Sequence, residues 1–89
     1  MSGLTLLAAL KAFDATTSAG SMTAAAKLLD LQQPTISAHI QRLENEYGVE
    51  LFLRQGRRLE LTTFGRTLLD YTRRAFSGEE DAHALLAAA

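Results

Sequence analysis

Cysteine is absent from the 89-residue chain, which removes disulfides and thiolate metal sites from consideration. Histidine is scarce: with only His39 and His83, a zinc site would have to recruit carboxylates, so no metal and no other cofactor is expected. No apolar run approaches the ~20 residues that span a bilayer. The N-terminus also lacks a basic segment leading into an apolar stretch and a small-residue cleavage site. A soluble cytoplasmic protein with no membrane partner is the expectation. No phosphate-cradling glycine loop, internal repeat or low-complexity linker is present. Excess charge is missing too, since nine Lys and Arg against ten Asp and Glu leave a formal net charge of −1.

That near-neutrality conceals an uneven distribution. In residues 1–31, Lys11 and Lys27 cancel Asp14 and Asp30. In residues 51–66, Arg54, Arg57, Arg58 and Arg66 face Glu60 alone, whereas Glu79-Glu80-Asp81 is purely acidic. Charges act within a Debye length of ~8–10 Å, so the local basic cluster matters more than the total. The overall balance therefore does not exclude nucleic acid as a partner.

The length supports one small domain with a single core, and the abundant alanine and leucine favour helix. Residues 4–18 read as a first helix, with Leu6, Leu10, Phe13 and Thr17 on its buried stripe and Leu7 widening it. Gly20 stops that helix and Ser21 caps the next, where Met22, Ala25, Ala26 and Leu29 follow helical spacing and Leu28 packs at the edge. Pro34 lies in the first turn of a third helix. There Ile36, Ile40, Leu43 and Tyr47 point to the core, Pro34, Ala38, Gln41 and Asn45 cluster opposite, and Gly48 ends the run.

Two short helices joined by a tight turn over residues 20–44 form a helix-turn-helix, whose second helix can enter the major groove of DNA. Residues 51–61 then read as a hairpin turning at Gln55-Gly56-Arg57, with Leu51, Leu53, Leu59 and Leu61 inward. Thr62 or Thr63 caps a long final helix, in which Gly78 costs roughly 1 kcal/mol relative to alanine. The expected fold is mainly α, a winged helix-turn-helix over residues 1–63 followed by a linker and dimerisation helix over residues 64–89.

Several segments together resemble the N-terminal DNA-binding domain of LysR-type transcriptional regulators, a large bacterial family. The likeness runs over about residues 6–76. It is carried by Gly20-Ser21-Met22-Thr23-Ala24-Ala25-Ala26 with Leu29, by Gln33-Pro34-Thr35-Ile36-Ser37 with Ile40, and by Leu43-Glu44. It continues through Tyr47-Gly48-Val49-Glu50-Leu51-Phe52-Leu53-Arg54, Gly56-Arg57-Arg58 and Leu61-Thr62-Thr63-Phe64-Gly65. The resemblance implies three helices, a two-stranded wing and a linker helix that pairs with its counterpart in a homodimer, tetramers belonging only to a full-length protein. It implies an operator of inverted-repeat form containing T and A. It further implies an effector-binding domain beyond this segment, so no small-molecule ligand is expected here. One departure stands out: many relatives carry arginine just after the serine, where this chain has Ala38, so a bidentate arginine–guanine contact is missing there.

Matching positions make Gln33, Pro34, Thr35, Ser37 and Ala38 the groove-facing set. Gln33 can read adenine N6 and N7 or another base edge, and Pro34 and Ala38 suit a thymine methyl. Thr35 and Ser37 can donate to phosphate or base, or serve simply as helix-start residues. Arg54, Arg57 and Arg58 are candidate phosphate clamps, with Arg57 at the wing tip facing a minor groove. Arg42 binds phosphate or pairs with Glu46 one turn on. Thr62 completes the DNA-binding set, Arg73 and Arg74 solubilise the last helix, and His39 is read as packing.

An enzyme is not expected: Ser37 has no convincing base and orienting acid, and Glu44, Glu46 and Glu50 look like solvated helix and turn residues. Winged helices also serve as protein-interaction modules, which is the alternative to specific DNA binding. For dimerisation, Leu69, Thr72, Phe76, Glu79, His83 and Leu86 recur at three- and four-residue steps, a seam that leaves the core and runs into the tail with Phe76 as its anchor.

Overall fold

The computed structural model describes residues 2–88 apart from Arg57, with side chains described as far as Phe76. Within them the order is α1 (Gly3–Ala19), α2 (Met22–Leu29), α3 (Gln33–Tyr47), β1 (Phe52–Gln55), β2 (Arg58–Leu61) and α4 (Thr63–Ala88). Helix boundaries follow local chemistry. Ser2 Oγ accepts from the Thr5 N–H and Ser21 Oγ from the Ala24 N–H, both at 3.1 Å, each satisfying a donor that the helix start leaves free. Gly20 closes α1 in the left-handed region at φ +87°. The corner between α2 and α3 instead puts Asp30 there, at φ +55°, a conformation aspartate tolerates better than most residues. Gln32 gives α3 no side-chain cap, but Pro34 in its first turn has no N–H to leave unpaired.

The core is built around α1, against which α2, α3 and α4 all pack. Ala9, Ala12 and Phe13 are fully buried, and the small alanines let neighbouring helices approach closely. A helix covered from three directions buries a wide arc, which is why Thr16 rather than Thr17 is the closed position after Phe13. The Thr16 hydroxyl donates to Ala12 O at 2.8 Å, so its burial leaves no unpaired donor. From α2 come Ala25 and Ala26, and from α3 come Ile36, Ile40 and Leu43. Two expected packing positions turn out differently. Leu28 is 65% exposed, and Tyr47 is 43% exposed, its ring 5.6 Å from that of Phe64 at the start of α4.

The wing also departs from the sequence expectation. In the antiparallel register Phe52 faces Leu61, Leu53 faces Glu60 and Arg54 faces Leu59. Directly opposed residues share a face of the sheet, so Phe52 and Leu61 point inward with Leu59, and Leu53 points out at 43% exposure. The Phe52 ring packs 5.5 Å from Phe13. Leu51 is fully buried but sits at a bend before β1, and the alternation restarts after it. Extending a period-2 pattern through that bend shifts the phase by one residue, which exchanges the faces.

The first half of α4 belongs to the same core through Leu68 and Thr72. Thr72, expected on a dimer seam, is fully buried within its own protomer and its hydroxyl donates to Leu68 O at 2.7 Å, so it offers a second copy no surface. Leu69 and Phe76 are half-buried against the same core, while His83 and Leu86 lie outside the residues whose side chains are described. Among the described residues no helix is long and apolar enough to cross a membrane. The wing register carries a direct consequence for stability. Phe52→Ala should cost about 3 kcal/mol and Leu53→Ala less than about 0.5 kcal/mol in urea unfolding. Equal losses, or the reverse order, would show the opposite face inward.

Candidate nucleic-acid interface

The turn that joins α2 to α3 is held by backbone bonds: Leu31 N–H reaches Ala26 O at 2.9 Å, and Thr35 N–H reaches Gln32 O at 3.0 Å. With Ile36, Ile40 and Leu43 committed to the core, α3 must present its other face outward. Gln33, Pro34, Thr35, Ala38, Gln41 and Arg42 are exposed on it, and Ser37 is half-buried at its edge. On this exposed face the first two turns carry no side chain bulkier than Gln33, so the helix axis can come close to whatever it docks against.

Beside the start of α3 a cleft gathers groups from three elements. Ser21 and Thr23 at the start of α2, Gln33 of α3, and Arg54 and Arg58 of the wing all line it. Arg54 reaches it because it shares the face of Phe52 and Leu61, at the next pair on that face toward the turn, directly opposite Leu59. Neither Arg54 nor Arg58 forms an ion pair among the described residues. Backbone N–H groups at the α2 start add partial positive charge to the same cleft. Two free guanidiniums, a helix start and a carboxamide make a surface that attracts phosphate and can hydrogen-bond a base edge. Ser21 and Thr23 were not among the sequence-derived candidates. Ser21 was legible as a cap, but its proximity to the wing arginines depends on how the hairpin folds back.

Other candidates are distributed differently. Arg42 borders a separate depression with Thr5, Asn45 and Glu46, and no Arg42–Glu46 ion pair forms among the described residues. Arg57 lies outside the described residues. Arg73 bridges to Asp14 of α1 at 3.6 Å and Arg74 pairs with Asp70 at 3.0 Å, so both are engaged within the chain rather than merely solvated.

Thr62 has to be withdrawn from the DNA-binding set. Its hydroxyl donates to Glu50 O at 2.6 Å, with Leu51 O at 3.3 Å, and accepts from the Gly65 N–H at 3.0 Å. Phosphate oxygens only accept, and the single Thr62 O–H is already given away. It is the N-cap of α4. Glu44 is likewise not a solvated helix residue: its Oε2 accepts from the Leu51 N–H at 2.9 Å, tying the end of α3 to the start of the wing. The Thr62 cap is local and was legible in the sequence, but its bonds to Glu50 and Leu51 and the Glu44 tie to Leu51 have no signature in local spacing, since those partners lie seven to twelve residues away.

Three helices with a hairpin after the helix-turn-helix define a winged helix-turn-helix protein. Residues 7–66 match the family model described as bacterial regulatory helix-turn-helix protein, lysR family. The chain belongs to the LysR family. It is 43% identical over 72 residues to the HTH-type transcriptional regulator y4mQ of Sinorhizobium fredii, covering 81% of this chain and 24% of that one. A regulator encoded in the ibpB-leuC intergenic region of Azotobacter vinelandii is 44% identical over 75 residues, covering 84% of this chain and 52% of that protein. The chain thus spans between about a quarter and about a half of the length of these curated relatives. Among solved structures, the CbnR DNA-binding domain in complex with DNA is 39% identical with a TM-score of 0.76, covering 93% of this chain and 98% of that one. The BenM DNA-binding domain with catB site 1 DNA is 31% identical with a TM-score of 0.84, covering 90% of both chains.

The cap at the mouth of the cleft can be weighed on its own. Ser21→Ala should lower stability by ~1 kcal/mol and Ser21→Gly by only a few tenths, read from urea midpoints. A neutral Ser21→Ala would mean that the hydroxyl does not anchor α2.

Proposed function

We propose that this chain is the operator-reading module of a LysR-type transcriptional regulator and binds specific double-stranded DNA as a homodimer. The observation that carries the reading is the cleft in which the α2 start, Gln33, Arg54 and Arg58 converge beside the small, polar outward face of α3. The α2 start and the wing arginines bind phosphates and set the register of the domain on the duplex. The first turns of α3 then lie in the major groove, where Gln33 reads adenine or one base edge, and Pro34 and Ala38 contact thymine methyls. Thr35 and Ser37 donate to phosphate or base. Arg57 of the wing tip follows the backbone or the minor groove. The DNA complexes of the CbnR and BenM domains support this assignment for a chain of similar fold and sequence.

Dimerisation through α4 is part of the same reading. Phe76 keeps part of its ring uncovered, and Tyr71, about 140° away around α4, is 65% exposed. Tyr71 lines an apolar depression with Tyr47 and Phe64, and together these exposed rings present more aromatic surface than a monomer of this size leaves to water without reason. A second α4 is the occupant that symmetry supplies.

If ~6–10 phosphates are neutralised per dimer, affinity for the preferred duplex should fall by roughly 10³–10⁵ between about 50 and about 200 mM salt. Gln33→Ala should cost ~1–3 kcal/mol on that duplex and relax selectivity at one position, whereas Arg54→Ala should weaken all duplexes alike and reduce the salt slope by about one. A flat salt response would remove the phosphate mechanism and favour a protein-interaction module.

Phe76→Asp should give a monomer of unchanged helix content with weak operator binding, because two half-sites are then no longer engaged together. Sedimentation as an intact dimer with normal operator affinity would overturn the role of α4.

A further inference from the structure

One residue, Leu51, joins the three functional parts of this molecule through both of its backbone polar groups. The Leu51 N–H donates to the Glu44 carboxylate of α3 at 2.9 Å. The Leu51 carbonyl accepts from the Thr62 N–H at 3.0 Å and lies 3.3 Å from the Thr62 hydroxyl, which caps α4 through Gly65. Leu51 itself is fully buried, so its N–H and carbonyl cannot exchange these partners for water. Gly65 is the third constraint: a Cβ there would run into the Leu51 carbonyl and would meet Leu61 Cδ2 at 3.1 Å and Thr62 Oγ1 at 3.3 Å. The first turn of α4 lies directly on the carbonyl of the residue whose N–H Glu44 holds from the α3 side.

We propose that this junction sets the half-site spacing of the dimer, with Glu44 and Thr62 as positioning residues that fix the angle of α4 against the reading helix. The inference rests on the dimeric, operator-binding reading above. Leverage is what makes a few hydrogen bonds decisive. At 1.5 Å per residue, the 26-residue α4 is ~39 Å long, and a tilt of ~10° at its root moves its far end by ~7 Å. One base pair of extra spacing shifts a half-site by only ~3.4 Å and turns it by ~34° about the duplex. A loosened root therefore accepts neighbouring spacings that a fixed one rejects. Packing of Leu68 and Thr72 on α1 and the Asp14–Arg73 bridge hold the shaft of α4, but the cap sets where the shaft begins.

The test is binding of the full chain to duplexes whose half-site separation is varied in single base-pair steps, alongside a duplex carrying one half-site. The wild type should prefer its best spacing over the adjacent ones by about tenfold. Thr62→Ala and Glu44→Ala should each bring that preference below about twofold while single half-site affinity stays within about twofold. Thr62→Ser and Glu44→Gln, which keep the hydroxyl and a carbonyl acceptor, should restore the wild-type profile. If the alanine variants retain the wild-type spacing profile, or lose half-site and full-operator affinity in equal measure, the junction is merely structural and the inference is overturned. A wild type that shows no spacing preference at all would overturn the dimeric reading first, and the inference with it.

Discussion

Close packing around α1 is the constraint on which the remaining structure depends. Three helices can meet one helix at the same level only if the shared helix is thin, and Ala9, Ala12 and Ala15 make it thin on the sides that are covered. Phe13 then fills the remaining space, reaching past α3 to meet Phe52 of the wing. Through that contact and the packing of Leu61 on the core, the hairpin that carries Arg54 and Arg58 is registered against the same helix that supports α3. The reading helix, the wing and the linker helix have few contacts with one another. Their relative placement is inherited from α1 and from the Leu51 backbone.

The electrostatic design follows from where charges are spent rather than from their sum. A net charge of −1 would be a poor recruiter of DNA if the cations were spread evenly. Arg73 and Arg74 are instead paired with Asp14 and Asp70 on the α4 side, while among the described residues Arg54 and Arg58 stand without ion pairs beside the α2 start. Such exposed ion pairs add little stability. Their consequence is directional: they leave the positive potential on the side where α3 is exposed.

Much of this was legible in the sequence, and what was not shares one physical cause. Helix positions, the α2–α3 turn, the Ser21 cap and the outward face of α3 all follow from spacing within one element. The phase of β1 did not, because Leu51 is buried at a bend and only then does alternation begin with Phe52. Tyr47 keeps helical spacing with the core residues of α3 yet ends beside Phe64, since the core stops one turn earlier. Thr72 fits a seam by periodicity, but the same periodicity describes the stripe by which α4 packs on α1. Glu44 and Thr62 act through partners far along the chain, and no local pattern encodes a hydrogen bond to the Leu51 backbone.

That last group bears most on how selectivity arises. Ala38 stands where a long side chain could reach a guanine, and Pro34, Thr35 and Ser37 carry few hydrogen-bonding groups, so the major-groove surface of one protomer holds limited base-reading chemistry. A good bidentate contact discriminates by ~1–3 kcal/mol, and on the proposed docking Gln33 would supply about one such contact per half-site. Selectivity beyond that level must come from demanding two half-sites at once and from the cost of bending or twisting DNA that presents them wrongly. A reader of this kind depends more on rigid geometry than on any single side chain. The buried Leu51, held through both its N–H and its carbonyl, and the glycine pressed against that carbonyl provide that rigidity at the point where α4 begins.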